Sequence, residues 1–297
     1  MYVQMRIGGY EIEALVGRGG MAEVFRGRIV GGPRAGRAVA LKRPLSALCG
    51  DPAHLELFAR EARLVTRLRH PAIVEALETV VDEGVPCLVM EYVDGCDLKR
   101  IISLCRSRRI QLPVDFALHV AHVVAGALDF AHRARGDDGR ALGVVHCDVS
   151  PSNVFVSRAG EVKLGDFGVA RAAGGQAPFG KVRYLAPEQL RGRPVGPRTD
   201  VFGLGAVLHE LLTGLPAFPG SSVEEVAARI VSGARRPPSV DRPGLAPEVD
   251  AIVLRALALE DRYPDAGAME ADLAARYDPA VGTPLAIAAL VRGLVTG

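Results

Sequence analysis

The run Val145-His146-Cys147-Asp148-Val149-Ser150-Pro151-Ser152-Asn153 decides the fold of this chain. Asp148 and Asn153 lie five residues apart, Asp166-Phe167-Gly168 begins thirteen residues after Asn153, and Ala186-Pro187-Glu188 follows. Phosphoryl transfer from ATP needs a carboxylate that accepts a hydroxyl proton and hard oxygen ligands that hold a cation on the phosphates. The two aspartates and the asparagine supply that set, so the stretch favours phosphoryl-transfer chemistry.

The three motifs, in this order and at these intervals, resemble the catalytic loop, metal loop and substrate segment of protein kinases. The chain is similar in particular to bacterial (eukaryotic-like) serine/threonine protein kinases, with the variant loop His-Cys-Asp-Val-Ser-Pro-Ser-Asn. The resemblance covers about residues 7–277. It implies an α+β, bilobal protein-kinase fold with a small β-rich N-lobe (about 7–91), a larger mostly helical C-lobe (about 92–277) and a short C-terminal tail (278–297).

Composition excludes several other classes of protein. At 297 residues and a formal charge of +2, the chain has no electrostatic bias toward nucleic acid or an anionic membrane. Its five cysteines are odd in number and lack metal-ligand spacing, which is typical of reduced thiols. We see no signal peptide and no apolar stretch long enough to span a membrane. A cytoplasmic protein without nucleic-acid or membrane partners is expected, and the apolar segment 281–297 is expected to dock as a terminal helix.

A glycine-rich turn lies near the N-terminus. Gly17-Arg18-Gly19-Gly20-Met21-Ala22 is flanked by apolar residues that include Val16 and Val24, which predicts a strand, a turn and a strand. The segment resembles the loop that covers the ATP phosphates in bacterial serine/threonine kinases, with Ala22 in place of a third glycine.

A lysine and a glutamate form the next predicted pair. Lysine is rare here, since Lys42, Lys99, Lys163 and Lys181 are the only four among 36 basic residues. In the strand Val39-Ala40-Leu41-Lys42, alternation places Ala40 and Lys42 on one face. Asp51-Pro52 predicts a helix start, and Glu61 falls within the apolar stripe of that helix. Because an inward carboxylate is costly unless it is paired, we expect Glu61 to contact Lys42.

Further nucleotide and metal contacts follow from the resemblance. Leu88 to Gly95 looks like the hinge between the lobes. Asp148 would align the acceptor hydroxyl and take its proton, while Asn153 and Asp166 would hold Mg²⁺, with Mn²⁺ as an alternative. The residues expected to bind ATP are Val16, Gly17, Gly19, Gly20, Val24, Ala40, Lys42, Met90, Glu91, Val93, Asp97 and Phe155.

The rest of the C-lobe is read from helical patterns. Apolar periodicity predicts helices at 114–132, 222–232, 247–258 and 266–276, and another from Asp200 to Gly214. Residues 133–143 are expected to form a surface hairpin. By resemblance, Asp200 buttresses the catalytic loop, and Glu188 and Arg262 form a structural ion pair. Histidines on or near the helix at 114–132 are interpreted as core or surface residues, because no carboxylate or cysteine completes a metal site.

The first departure from the family pattern is Cys147, which stands where most members have an arginine that binds a phosphorylated activation segment. From Val169 to Arg183 there is no serine and no threonine, and Tyr184 is the only hydroxyl before Ala186. Control by phosphorylation of this segment is therefore not expected. Regulation would then come from a protein partner, from concentration, or not at all, as in a kinase that is always on.

Two further departures occur together. Ser150 stands where the family usually has a lysine that neutralises the γ-phosphate, and Lys181 stands where it usually has a threonine. Since these positions adjoin each other and the catalytic aspartate in the kinase fold, we expect Lys181 to supply the missing ammonium group and count it with Asp148, Lys42 and Glu61 as catalytic. The alternative is a solvated loop lysine in an impaired site.

Three functions remain open from the sequence. The favoured one is an ATP- and Mg²⁺-dependent kinase that phosphorylates Ser/Thr hydroxyls of protein substrates. The second is a pseudokinase that binds nucleotide or partners without phosphotransfer, an interpretation that Cys147 and Ser150 motivate. The third, a small-molecule kinase of the same fold, is disfavoured by Ala186-Pro187-Glu188 and the Glu188/Arg262 pair.

Overall fold

An antiparallel sheet and one long helix make up the first of two units, Met1–Val93, in a computed structural model that describes residues 5–167, 179–278 and 283–296. The strands follow the spatial order β1-β2-β3-β4-β6-β5. Their bounds are β1 Arg6–Ile7, β2 Tyr10–Arg18, β3 Ala22–Ile29, β4 Ala38–Pro44, β5 Ala76–Asp82 and β6 Val85–Glu91.

Alternation along β4 divides this sheet into two faces. Val39 and Leu41 are fully buried and pack with Cys87 and Val89 of β6 in one apolar cluster. Ala40 and Lys42 therefore project from the opposite face, as expected for strand geometry. The sequence prediction of a shared face for these two residues is confirmed.

Helix α1 (Pro52–Val65) packs against β5 and β6. Asp51 is its N-cap, and its carboxylate accepts the Ala53 N–H at 3.0 Å, while Pro52 occupies the first helical position. Such a start satisfies an otherwise unpaired N–H and presets the backbone angle. The buried residues of α1 include Phe58 and Glu61, so the predicted inward glutamate is present.

The second unit, Asp94–Gly297, is mostly helical. Its three antiparallel strands have the order β7-β8-β9. They are β7 Gly95–Asp97, β8 Val154–Ser157 and β9 Val162–Leu164. The helices are α2 Leu98–Arg108, α3 Val114–His132, α4 Phe179–Val182, α5 Pro187–Leu190, α6 Pro197–Thr213, α7 Val223–Ser232, α8 Pro247–Ala256, α9 Ala266–Ala274 and α10 Pro284–Thr296.

Helix α6 is the centre of this unit's core. It packs against α3, α8 and α9, and side chains such as Phe202, Leu204 and Leu208 are fully buried. The helix begins at Pro197, three residues before the predicted start at Asp200, because proline is well suited to a first helical turn. It ends where predicted, with Gly214 as a left-handed C-cap at φ 73°.

Helix α3 corrects one expectation from the sequence. Its 19 residues are long and apolar enough, by length and composition, to cross a membrane, although no such stretch was expected. The window that meets this test is 56% buried inside the protein. The small and large apolar residues that alternate along α3 are therefore those of a core helix. Its neighbours α6 and α9 bury it.

Two predicted surface elements are present. The segment 133–143 forms a short turn in which Arg135 pairs with Ala141 and the Gly136 N–H donates to the Arg140 carbonyl at 2.8 Å. Helix α10 docks on α2 and β8, and buries Ile287, Ala288, Val291 and Leu294.

Candidate active site

A buried ion pair marks the first unit. Lys42 Nζ of β4 lies 3.1 Å from Glu61 Oε1 of α1, and their side chains are 15% and 10% exposed. The predicted contact is confirmed. A lysine held in this way is pre-oriented, so that little side-chain entropy remains to be lost when an anion binds it.

The residues predicted to hold ATP in this unit cluster through strand register. Val24 of β3 lies opposite both Gly17 of β2 and Lys42 of β4, and Ala40 lies opposite Met90 of β6. Residues directly opposite each other in antiparallel strands share a face. Val24, Ala40, Lys42 and Met90 therefore line the same side of the sheet.

The glycine-rich turn closes the β2–β3 hairpin. The Gly19 N–H donates to the Ala22 carbonyl at 2.8 Å, and a side chain at Gly20 would meet nothing within 4 Å. Val16 sits at an irregularity in the register and is 49% exposed. The turn thus leaves open space beside its backbone, as a phosphate-covering loop requires.

At the end of the first unit, Glu91 has restricted hydrogen-bonding capacity. Its N–H already donates to the Glu75 carbonyl at 2.9 Å, and its carboxylate accepts the Glu75 N–H, also at 2.9 Å. Neither its N–H nor its carboxylate is therefore set aside for a base, which the prediction of a nucleotide contact at Glu91 did not anticipate. Val93 follows in irregular backbone at the last position of the unit.

Asp97 and Phe155, the other two residues expected at the nucleotide, belong to the second unit. They are paired in register between β7 and β8. The Asp97 carboxylate accepts the Arg100 N–H at 2.7 Å as the N-cap of α2. Capping of α2 is therefore a sufficient reason for an aspartate at position 97, whether or not it also binds the nucleotide.

Asp200 anchors the catalytic loop from behind. This carboxylate is 1% exposed and accepts the backbone N–H groups of His146 and Cys147, both at 2.8 Å. His132 Nε2 lies 2.8 Å from the same carboxylate. Cys147 adopts φ 62°, a conformation that costs free energy for a residue with a side chain and persists only when neighbours hold it. Asp200 therefore fixes the loop in a strained form immediately before Asp148.

Asn153 and Lys181 both donate hydrogen bonds to Asp148. Asn153 Nδ2 bonds its carbonyl oxygen at 2.8 Å and its Oδ2 at 3.0 Å, and Lys181 Nζ contacts the same Oδ2. The side chain of Asp148 is 9% exposed. The structure thus brings the predicted hydroxyl-activating carboxylate together with the predicted amide ligand and with Lys181.

Asp166 lies beside this cluster. The Gly165 N–H donates to the Asn153 carbonyl at 2.9 Å, and the Gly165 carbonyl lies 2.9 Å from His146 Nε2. Asp166 itself has φ 55°, again a left-handed conformation in a residue other than glycine. These contacts hold Asn153 and Asp166 at the same end of the β8–β9 hairpin.

The donor set fits a small hard cation. Asn153 uses its amide nitrogen toward Asp148, which turns its amide oxygen, the harder ligand atom, the other way. Within the described residues, no group of three or more His, Cys, Asp or Glu forms a metal cage. An amide oxygen and one carboxylate nevertheless suit Mg²⁺, which usually keeps waters and substrate phosphates as its other ligands.

Lys181 is placed by its neighbours along the chain. Val182 is 2% exposed, and the Tyr184 hydroxyl donates to the carboxylate of Glu210 in α6. Burial in this position raises the pKa of Tyr184. The segment that follows the undescribed residues 168–178 is thereby fixed to the central helix.

The predicted Glu188–Arg262 pair is also present. Arg262 Nη1 lies 2.9 Å from Glu188 Oε1 and 2.9 Å from the Arg198 carbonyl, and its side chain is 2% exposed. The Thr199 hydroxyl donates to the same glutamate oxygen at 2.9 Å. This buried network joins α5, α6 and the segment before α9.

Sequence reasoning missed three contributors to the site. His132 and His146 were assigned no role, yet one contacts Asp200 and the other lies against Phe167 with ring centroids 4.6 Å apart. The third is Glu210, the partner of Tyr184 and of Arg106. Only Glu210, a polar residue inside the apolar pattern of α6, carried a signal like that of Glu61.

Comparison with known proteins agrees with this geometry. Residues 10–251 match the protein kinase domain family. The chain is 40% identical to the probable serine/threonine-protein kinase SCO3848 of Streptomyces coelicolor, over 97% of this chain and 43% of the relative. It is 38% identical to the tyrosine-protein kinase MasK of Myxococcus xanthus, over 88% of this chain and 42% of that one.

The chain thus spans less than half the length of these curated relatives. Among solved structures, the kinase domain of Mycobacterium tuberculosis PknI aligns with a TM-score of 0.70 at 28% identity, covering 93% of this chain and 98% of that domain. The sheet order, the Lys42–Glu61 pair and the cluster around Asp148 are those of the bilobal protein-kinase fold, and the chain belongs to the protein kinase family.

Proposed function

We propose that this chain is an active kinase that transfers the γ-phosphate of ATP to serine or threonine hydroxyls of proteins. The observation that carries the proposal is the Asp148 cluster, in which a carboxylate, an amide and a lysine converge beside Asp166. Asp148 would orient the acceptor hydroxyl and take its proton. Lys42, held by Glu61, would bind the phosphates of the nucleotide.

The residues that would hold Mg²⁺ are Asn153 and Asp166. When bound, the ion would neutralise charge on the phosphates of ATP and fix their orientation. The chain's own contribution is to hold the two oxygen ligands together through the Gly165–Asn153 bond, and to keep Asp148 in place through Asn153.

The choice of serine and threonine rests on the relatives and on sequence resemblance. SCO3848 and the mycobacterial PknB proteins are named as serine/threonine kinases, whereas MasK is named as a tyrosine kinase. The Gly-Gly-Met-Ala loop and the Ala-Pro-Glu-Gln run resemble the former group. Phosphoamino-acid analysis of the labelled product distinguishes the two specificities.

The test of the proposal is transfer of labelled phosphate from Mg·ATP to a generic basic protein, with Asp148→Asn as the comparison. We expect transfer by the wild type and a loss of at least about 10²-fold in the variant, the scale of general-base and positioning effects. Absence of transfer by the wild type, with a melting temperature raised by Mg·ATP, would instead establish a pseudokinase, the alternative that Cys147 and Ser150 favour.

We also propose that phosphorylation of the activation segment does not control activity. Residues 169–183 contain no serine or threonine, although 169–178 lie outside the described residues. The Tyr184 hydroxyl is engaged by Glu210, and Cys147 is a buried neutral thiol whose pKa is raised to about 12 by burial. Phosphatase treatment of the purified protein should leave its specific activity unchanged. A drop on treatment, restored by Mg·ATP, would contradict this.

A further inference from the structure

The segment that carries Asp148 provides no positive charge of its own. Residues 147–153 read Cys-Asp-Val-Ser-Pro-Ser-Asn, and none of them is a cation. Phosphoryl transfer spreads negative charge over the equatorial oxygens of the moving group, and positioned cations are what lowers its barrier. A protein cation beside Asp148, in addition to Lys42 and Mg²⁺, would therefore come from another segment of the fold.

Ser150 is a buried, uncharged residue of this loop. The residue is 1% exposed, and its hydroxyl has no hydrogen-bond partner within the part of the chain that is described. A buried hydroxyl without a hydrogen-bond partner is unfavourable, so packing alone does not explain why a serine occupies this position. Two residues after Asp148 in the sequence, it contributes no charge to the loop.

Lys181 brings the missing charge to the same place. Its ammonium group contacts Asp148 Oδ2, the oxygen that also accepts Asn153 Nδ2, and its side chain is 26% exposed. The Lys181 side chain is therefore partly exposed to solvent, while its ammonium group contacts the carboxylate that would take the acceptor proton. That is the position in which it could meet both an acceptor hydroxyl and a phosphoryl oxygen.

Several contacts make Lys181 a fixed cation. Val182 is buried, the Tyr184 hydroxyl bonds Glu210, and Arg183 Nη2 donates to the Gly220 carbonyl at 3.3 Å. An unrestrained lysine would lose about 2 kcal/mol of rotamer entropy on binding a phosphate. Anchoring on both α6 and the loop before α7 reduces that cost.

We propose that Lys181 is a catalytic residue whose ammonium group binds the transferred phosphoryl group, in place of a cation that the 147–153 loop does not carry. This rests on the proposed kinase function. The acceptor oxygen bonds to the γ-phosphorus as the bond to the bridging oxygen breaks, ADP leaves with that electron pair, and the hydroxyl proton passes to Asp148. Lys181 keeps its protons throughout and supplies only charge.

The first experiment compares Lys181→Met with Lys181→Arg and with Lys99→Met, a matched change at an exposed lysine of α2. We expect kcat to fall about 10²-fold in Lys181→Met, the scale for losing one charge-stabilising group. Lys181→Arg should retain most of the wild-type kcat, and Lys99→Met should have the same kcat as the wild type. Melting temperatures, with and without Mg·ATP, check that each variant folds and binds nucleotide.

The second experiment moves the charge back into the loop. In Ser150→Lys/Lys181→Thr, we expect at least a tenfold recovery of kcat relative to Lys181→Thr alone. A kcat for Lys181→Met within twofold of an active wild type would overturn the assignment to Lys181 and leave the kinase function intact. A wild type that transfers no phosphate would overturn both, so the two failures are distinguishable.

Discussion

At the scale of single residues, the Lys42–Glu61 pair makes a direct prediction. In Glu61→Gln the lysine loses its charged partner at a site where both side chains are at most 15% exposed. We expect kcat/KM for ATP to fall at least about tenfold, because Lys42 is no longer held toward the phosphates. Steady-state kinetics at varied ATP concentration measure this.

Helix α1 itself offers the control for this variant. Glu56→Gln removes an ion pair with Arg63 at 2.7 Å, but those side chains are 73% and 63% exposed. Exposed pairs contribute about 0–1 kcal/mol, so stability and activity should remain near wild type. Equal kinetic losses in both variants would show that the Lys42–Glu61 pair has no special role.

Individual site residues could be predicted when their chemistry conflicted with their surroundings. Glu61 within an apolar stripe and Lys181 in a lysine-poor chain are both anomalies that need no structure to notice. The role of His132 could not be found this way, since a histidine at a helix end is unremarkable until Asp200, 68 residues later, is seen to contact it. Contacts over such separations depend on how helices pack.

At the scale of elements, helix α10 is the part whose removal is most informative. Its apolar face is buried on α2 and β8, with Val291 at 1% exposure. Gly160, at φ 88°, allows the close approach, since a Cβ there would lie 1.8 Å from the Pro284 carbonyl oxygen. The helix is thus fitted to the surface that it covers.

We predict that Val291→Asp lowers the melting temperature by several degrees. An unpaired carboxylate would be placed where an apolar side chain packs, a change that costs a few kcal/mol. Leu285→Asp on the same helix is the control, because Leu285 is 75% exposed and should tolerate the charge. Thermal unfolding of both variants by circular dichroism is the measurement. Similar melting temperatures for the two would mean that α10 does not dock in solution.

The positions of helices in the sequence were easier to predict than the elements against which they pack. The patterns at 222–232, 247–258 and 266–276 match α7, α8 and α9 within two residues at each end, since helical periodicity is local. Helix α3 was located correctly, but it was not recognised as long and apolar enough to cross a membrane. The docking of a terminal helix was predicted, but its partners α2 and β8 were not, because nothing in the periodicity of 284–296 identifies the surface that receives it.

At the scale of the whole molecule, the buried Cys87 thiol and Tyr10 hydroxyl are expected to make the folded state less stable at alkaline pH. Burial raises the pKa of Cys87 from 9.0 to about 12, and burial with a hydrogen bond to Glu78 raises that of Tyr10 from 10.0 to about 12. Both side chains lie in the apolar cluster of the first unit. Their folded forms are therefore neutral over a range in which the unfolded chain is ionised.

The free energy of unfolding should consequently be constant with respect to these groups below about pH 9 and fall as the pH rises from about 9 toward 12. The unfolded state binds fewer protons in that window, and each group contributes a slope of up to about 1.4 kcal/mol per pH unit. Urea unfolding between pH 7.5 and 10.5 measures the slope. Cys87→Ala removes one contribution and should flatten it, with Cys49→Ala as the matched loss of a half-buried thiol. The same pH dependence in wild type and Cys87→Ala would show that the cluster opens before its thiol ionises.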